Sequence, residues 1–344
     1  MFSLDAERAH DLGMLVLRSG LARPFYSRDV FPELETQVFG LRFKNPVGIA
    51  AGFDKNGTVV EQLASLGFGF VEVGTVTLKP QPGNERPRMF RLPADHALIN
   101  RLGFNNDGAE AVAERLAKTK RTCVVGVNIG KNRDVAIADA VENYVRTFDI
   151  VRPVADYITV NISSPNTPNL RELQKGESLD ELLSALTERN SGNTKKPLLV
   201  KIAPDLNDAE IDAIVEKCLM CGIDGIIATN TTISREGLKT RAVETIGAGG
   251  LSGRPLTLRS TEVIRRIFEV SAGKIPIVGV GGIFDTSDAF EKIAAGASLV
   301  QAYTGFVYGG PSFPAVVCRE LSKLTAEKGF RSIGDAVGSA VSAR

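Results

Sequence analysis

Eight short runs dense in valine and isoleucine recur along this chain of 344 residues, and they limit its fold more than any other feature. They are PVGIAAG (46–52), GFVEVGT (69–75), CVVGVNIG (123–130), DYITVNIS (156–163), PLLVKIA (197–203), DGIIATN (224–230), PIVGVGGI (276–283) and SLVQAYTG (298–305). Each reads as a continuous apolar run, the pattern of a strand covered on both faces. Amphipathic helical patterns separate them, among them NGTVVEQLASL, DAEIDAIVEKCLM, RSTEVIRRIF and SDAFEKIAA. Eight βα repeats predict an α/β protein, a (β/α)8 TIM barrel rather than an open doubly wound sheet. Residues 1–40 form a separate N-terminal helical segment on this reading, and residues 41–344 form the barrel.

Connections entering the strands are short (SLGFG, CGID, AGKIP, AAGAS), whereas two that leave strands are long, residues 76–107 and 231–258. Insertions after strands enlarge the C-terminal face, where barrel active sites sit. A dinucleotide-binding reading fails, because the glycines of GFGFVEVG lead into a strand and the G-x-G-x-x-G spacing is absent. Forty-one basic residues against 40 acidic ones leave a net charge of +1, which gives no global pull toward nucleic acid. The four cysteines are sparse and irregular, which fits a reducing compartment. The CLMC pair lacks a second ligand pair, so it reads as buried thiols and no metal site is expected. No apolar run approaches the ~20 residues that a membrane span needs.

In a barrel the strand ends converge, here bringing Lys55, Thr75, Asn128, Asn161 with Ser164, Lys201, Thr229 with Asn230, Gly281 with Gly282, and Tyr303 with Thr304. Any one Asn or Thr could simply terminate its strand through local hydrogen bonds. Eight ends with nearly no carboxylate among them point further, to a neutral hydrogen-bonding ligand. The glycines and Thr304 after the last two strands suit a phosphate monoester; the alternative is tight turns alone. Lys201, within a strand, requires a partner: a structural salt bridge, a Schiff-base substrate, or a cofactor that becomes anionic on reduction, such as a flavin. The amides of Asn100, Asn161, Asn166 and Asn230 match a flat ring with alternating C=O and N–H groups, and Lys55 would neutralise an acidic substituent. Together these features suggest redox chemistry on a pyrimidine-like ring. A flavin-free barrel lyase or isomerase using Lys55 or Lys201 on a sugar phosphate is the competing reading.

The motifs NPVGIAAGFDKNG, GTVTLKPQPGNERPR, INRLGFNN, NIGKN, NISSPNTPNLR, VKIAPDL, ATNTT, GGLSGRPL, VGVGGI and AGASLVQ, in this order, closely resemble the dihydroorotate dehydrogenase family. The likeness is to its membrane-associated, quinone-reducing class and runs from LDAERAH to the final helix. It implies an FMN enzyme of pyrimidine biosynthesis that oxidises (S)-dihydroorotate to orotate. By motif position FMN would be held by Ala51, Gly52, Lys55, Thr75, Asn128, Asn161, Lys201, Thr229, Gly253, Gly282, Tyr303 and Thr304. Orotate would be held by Lys55, the loop Asn100, Arg101, Leu102, Gly103, Phe104 and Asn105, and by Asn161, Asn166, Asn230 and Thr231.

Ser164 occupies the catalytic-base position of the resemblance, where the soluble relatives of the family use cysteine; none of the four cysteines here falls in that loop. In the N-terminal segment Phe2, Ala6, Ala9, Gly13, Val16 and Leu17 can share one helical face. The pattern alone fits a helix packed on the barrel. The resemblance implies a paired-helix cap that rests on a bilayer surface and opens a tunnel for ubiquinone or menaquinone, with His10, Arg88 and Tyr303 at its inner end. The expected protein is a monomer, peripheral on the cytoplasmic face of a bacterial membrane, or on the mitochondrial inner membrane if the chain is a trimmed eukaryotic form.

Overall fold

The computed structural model describes residues 4–174 and 176–341; Phe2 lies outside them. Eight parallel strands close into a barrel: β1 (Val47–Ile49), β2 (Phe70–Val76), β3 (Val124–Ile129), β4 (Tyr157–Asn161), β5 (Leu198–Ile202), β6 (Gly225–Ala228), β7 (Ile277–Val280) and β8 (Leu299–Ala302). Seven lie inside one of the eight apolar runs and β2 overruns its own by one residue, Val76; β8 pairs with β1 to complete the ring. Helices follow the strands and bury one stripe each. Asp208–Met220 turns Ile211, Ile214, Val215 and Cys218 inward and starts with a capping box between Asn207 and Glu210.

The barrel interior is filled by side chains rather than open. The Phe70 and Tyr157 rings occupy its lower half, and glycines on neighbouring strands make the room. A Cβ on Gly48 would lie 2.5 Å from the Phe70 ring, and one on Gly126 only 2.1 Å from that of Tyr157. Below them the antiparallel pair Thr36–Val38 and Leu41–Phe43 closes the N-terminal end. Its Phe43 ring meets Phe70 edge to face at 5.4 Å. Fully burying each such ring contributes about 1.5–3 kcal/mol. The other end of the barrel is thus the one left for a ligand.

The two long insertions, read from the sequence as loops, form one structure. Met89–Leu92 and Ala97–Asn100 pair antiparallel, and Gly250–Gly253 from the second insertion adds to Ala97–Asn100, giving a three-stranded sheet. The N-terminal segment also differs from the paired helices expected. Its described residues hold one α-helix, α1 (Ala6–Arg18), started by Asp5, whose carboxylate accepts from the N–H groups of Glu7 and Arg8. After it, Gly20 takes a left-handed φ of 77° and Pro24 lies inside a single 3-10 turn, Arg23–Phe25. A left-handed glycine followed by proline stops a helix from continuing.

Candidate active site

A cavity of about 990 Å³, counted with its mouth, opens at the C-terminal ends of the strands. Ser164, Asn161, Lys55 and Lys201 all line it, as do Ala51, Gly52, Thr75, Asn166, Thr229, Asn230, Thr231, Tyr303 and Thr304. From the insertions come Asn100, Leu102, Gly103, Phe104, Asn105 and Gly253, and from the end of β7 Gly282. Two expected contacts lie elsewhere. Asn128 is fully buried beneath the cavity, and Arg101 turns away to donate to the carbonyls of Ile246 and Ala248. Arg101 directly follows the strand Ala97–Asn100, between two residues that line the cavity, and carrying on the strand's alternation points it the other way.

The amides interlock. Asn161 donates to Thr75 Oγ1 at 3.0 Å and to Asn128 Oδ1 at 3.2 Å, and Thr75 Oγ1 donates to the same oxygen at 2.6 Å. Asn230 donates to Ser163 Oγ (3.0 Å) and Asn161 Oδ1 (3.3 Å), while Asn166 donates to Asn100 Oδ1 at 3.2 Å. These bonds fix the plane of each amide before any ligand arrives, which removes an ordering cost from binding. Ser164 is buried, and its Oγ accepts the Asn166 N–H at 3.2 Å. Phe104 holds a left-handed φ of 55°, a strained setting for an aromatic residue that clusters at functional sites.

Both ammonium groups face the cavity without a hydrogen bond or ion pair among the described residues, which leaves no direct salt bridge for Lys201. Burial lowers the Lys201 pKa, and Glu72 on β2 opposes that shift. Burial likewise brings Lys55 down to about 8, against the carboxylates of Glu7, Asp54 and Asp11. Glu72 escaped the sequence reading. It is fully buried and accepts from Asn128 Nδ2 (2.8 Å), Tyr157 OH (3.0 Å), Thr159 Oγ1 (3.4 Å) and Gln301 Nε2 (2.8 Å). Its signal in the sequence is one acid inside the apolar run FVEV. The sulfurs of Cys123 and Cys318 are pushed up to about 12, chiefly by burial, and all four cysteines are free thiols.

A second cavity, about 1020 Å³ and almost wholly apolar, lies between α1 and the barrel. Ala6, Ala9, Gly13, Val16 and Leu17 line it from the helix, facing Phe53, Phe306 and Tyr303. Tyr303 borders both cavities. His10 also lines the second one, its ring edge-on to Phe53 at 5.1 Å, and burial followed by the charge of Lys55 lowers its pKa to about 3. Arg88 lines neither cavity. Its guanidinium is taken up by Glu7 on α1 (2.7 Å) and by the carbonyls of Pro82 and Asn84. Burial alone would raise the Glu7 pKa; Arg88 and Arg86 hold it below the usual carboxylate range.

A polar cavity at this end of a barrel is where enzymes of the architecture work, so fold and site together define a barrel enzyme. Within that class the chain belongs to the dihydroorotate dehydrogenase family, whose model matches residues 33–325. The dihydroorotate dehydrogenase (quinone) of Thermobifida fusca is 50% identical, covering 97% of this chain and 93% of that protein. Its namesake from Vibrio parahaemolyticus is 51% identical over 93% of this chain and 97% of its own length. The crystal structure of DHODH from Eimeria tenella in complex with ferulenol is 40% identical with a TM-score of 0.91, over 97% of this chain and 95% of that one. The ligand-free form superimposes with a TM-score of 0.92 at 39% identity, over 98% and 100% of the two chains.

Proposed function

We propose that the protein oxidises dihydroorotate to orotate in pyrimidine biosynthesis, with FMN in the polar cavity and a membrane quinone in the apolar one. The carrying observation is the donor set around Ser164. Two cavity-facing ammonium groups lack partners among the described residues, and interlocked amides present both donors and acceptors. The residues fit FMN: Lys201 suits a ring that gains negative charge, and the far end offers Gly253, Gly282 and Thr304 to a phosphate. Held there, FMN would supply the two-electron redox chemistry that links dihydroorotate oxidation to quinone reduction.

The rest is work for the chain's own groups. Lys55 pairs with the substrate carboxylate, and Asn100, Asn161, Asn166 and Asn230 hold the ring's C=O and N–H edges. Ser164 takes the proton from substrate C5. No histidine touches its hydroxyl among the described residues, so a water has to carry that proton onward. The visible spectrum tests the reading: a yellow protein that bleaches with dihydroorotate supports it. A colourless protein trapped by substrate plus borohydride would favour the lysine-based lyase instead.

Two further results are expected. Orotate affinity is flat where Lys55 is charged and falls above pH about 8, as the free ammonium loses its proton, up to tenfold per pH unit. Titrating orotate binding by calorimetry between pH 6 and 10 (an illustrative range, roughly two units either side) checks this; a flat profile excludes Lys55 as the anion partner. Gly282→Ala is expected to weaken FMN binding by at least about tenfold, or 1.4 kcal/mol. Its φ is 71°, and a Cβ there would lie 2.0 Å from Thr257 Oγ1, so the loop must shift. The flavin content of the purified variant is the readout.

The apolar cavity takes the quinone, with Tyr303 between it and the polar one. Outside the cavity Leu12, Leu15, Leu21 and Val30 are exposed, Leu21 at 70% and Val30 at 82%, and Phe25 is exposed at its edge. No helix of the described residues is long and apolar enough to cross a membrane. This exposed set instead suits a surface resting on lipid at the cytoplasmic face of a bacterial membrane.

A further inference from the structure

Beneath the polar cavity lies a group of buried polar side chains that the reaction above does not use. Glu72 is its centre. One carboxylate oxygen takes Asn128 Nδ2; the other takes the Tyr157 hydroxyl, Gln301 Nε2 and, more distantly, the Thr159 hydroxyl. The donors come from three strands, β3, β4 and β8, around Glu72 on β2, and all these residues are buried. Burial and the Glu72 charge together raise the Tyr157 pKa, so its hydroxyl stays a donor. Four donors and no facing acceptor describe a site built for a negative charge. Such a charge in a barrel interior requires a cation, and the one that senses Glu72 is Lys201 on the next strand after β4. Within the eight barrel strands Glu72 is the only acidic residue and Lys201 the only basic one.

The chain of contacts continues upward. Asn128, held by Glu72, accepts from Asn161 and Thr75, which line the cavity, and Asn161 stands directly beside Lys201 in the β4–β5 register. Gln301, held by its amide nitrogen, is left with an Oε1 that has no partner although the residue is fully buried on the cavity floor. An acceptor fixed in that way is available to a ligand or a trapped water.

We propose that Glu72 is a positioning residue of the cofactor site: it keeps Lys201 protonated inside the barrel and fixes the amides of Asn128 and Gln301 beneath the ring. The proposal deepens the flavin reading and rests on it for the identity of the ring. With Glu72 in place the buried pair is neutral overall. Without it Lys201 is an isolated buried cation and gives up its proton more readily, and the ring above loses a fixed positive neighbour as pH rises.

The test uses protein labelled at lysine Cε, with the Lys201 resonance assigned by Lys201→Met. In Glu72→Gln the Lys201 resonance is expected to titrate at least about one pH unit lower than in the parent protein, a tenfold change in its proton affinity. The midpoint potential of the bound flavin should acquire a pH-dependent step at that same pH. The step should be absent from the Glu72→Gln, Lys201→Met double variant and reversed in Glu72→Asp, which restores the charge. A purely structural role would change neither titration. An unchanged Lys201 titration in Glu72→Gln overturns the proposal. Should that variant not fold, the parent protein decides: a Lys201 that is neutral at pH 7 (a reference near-neutral value, about three units below an unperturbed lysine) also overturns it. If the purified protein holds no flavin, the flavin reading fails, yet the Lys201 titration still judges Glu72.

Discussion

Replacing Ser164 by alanine is expected to leave the protein yellow and able to bind orotate, while turnover of dihydroorotate falls at least about 100-fold. A positioned proton acceptor usually contributes about 10²–10⁴-fold. The change removes one hydroxyl and one accepted hydrogen bond, from the Asn166 N–H, and creates no clash in the loop. Stopped-flow bleaching of the flavin isolates the half-reaction to which the serine belongs. Near-normal bleaching would take Ser164 out of the chemistry. A variant that loses orotate binding as well would instead assign the residue to holding Asn166, whose side chain reaches Asn100.

The second large effect is expected from Gly13→Phe. Gly13 lies on α1 and borders the apolar cavity, and a Cβ there would meet nothing within 4 Å. A phenyl ring grows into open space, and phenylalanine in a helix interior is more favourable than glycine, so folding should not suffer. Quinone reduction should then drop by more than an order of magnitude while dihydroorotate bleaches the flavin at the parental rate. Equal slowing of both half-reactions would mean that the two cavities do not divide the labour between them.

The barrel was legible because its strands announce themselves. Runs such as PLLVKIA carry apolar residues on both faces, as a strand covered on both sides requires. The strand-end amides were legible for the same reason, since polarity at the end of an apolar run is conspicuous. The sheet formed by the two insertions was not. Its strands MFRL, ALIN and GLSG are four residues each, one is half glycine, and the pairing joins segments some 150 positions apart. Nothing local specifies such a partnership. Glu72 was hidden differently: an acid in the middle of FVEV reads as an interruption until the barrel closes and places Asn128, Tyr157 and Gln301 around it. Arg88 shows the limit of motif matching: expected at the inner end of a quinone tunnel, it lines neither cavity and is engaged by Glu7.

That small sheet has a consequence for anyone who would transplant or shorten these insertions. Gly250–Gly253 lies along Ala97–Asn100, so residues 76–107 and 231–258 behave as a single module fed from two distant places in the chain. Swapping in a relative's version of one and keeping the other would leave an open β-edge beside the mouth, inviting a neighbouring molecule to dock there. Chimeras should therefore exchange the two together, and evolution is under the same constraint: a change of length in one excursion has to be answered by the other.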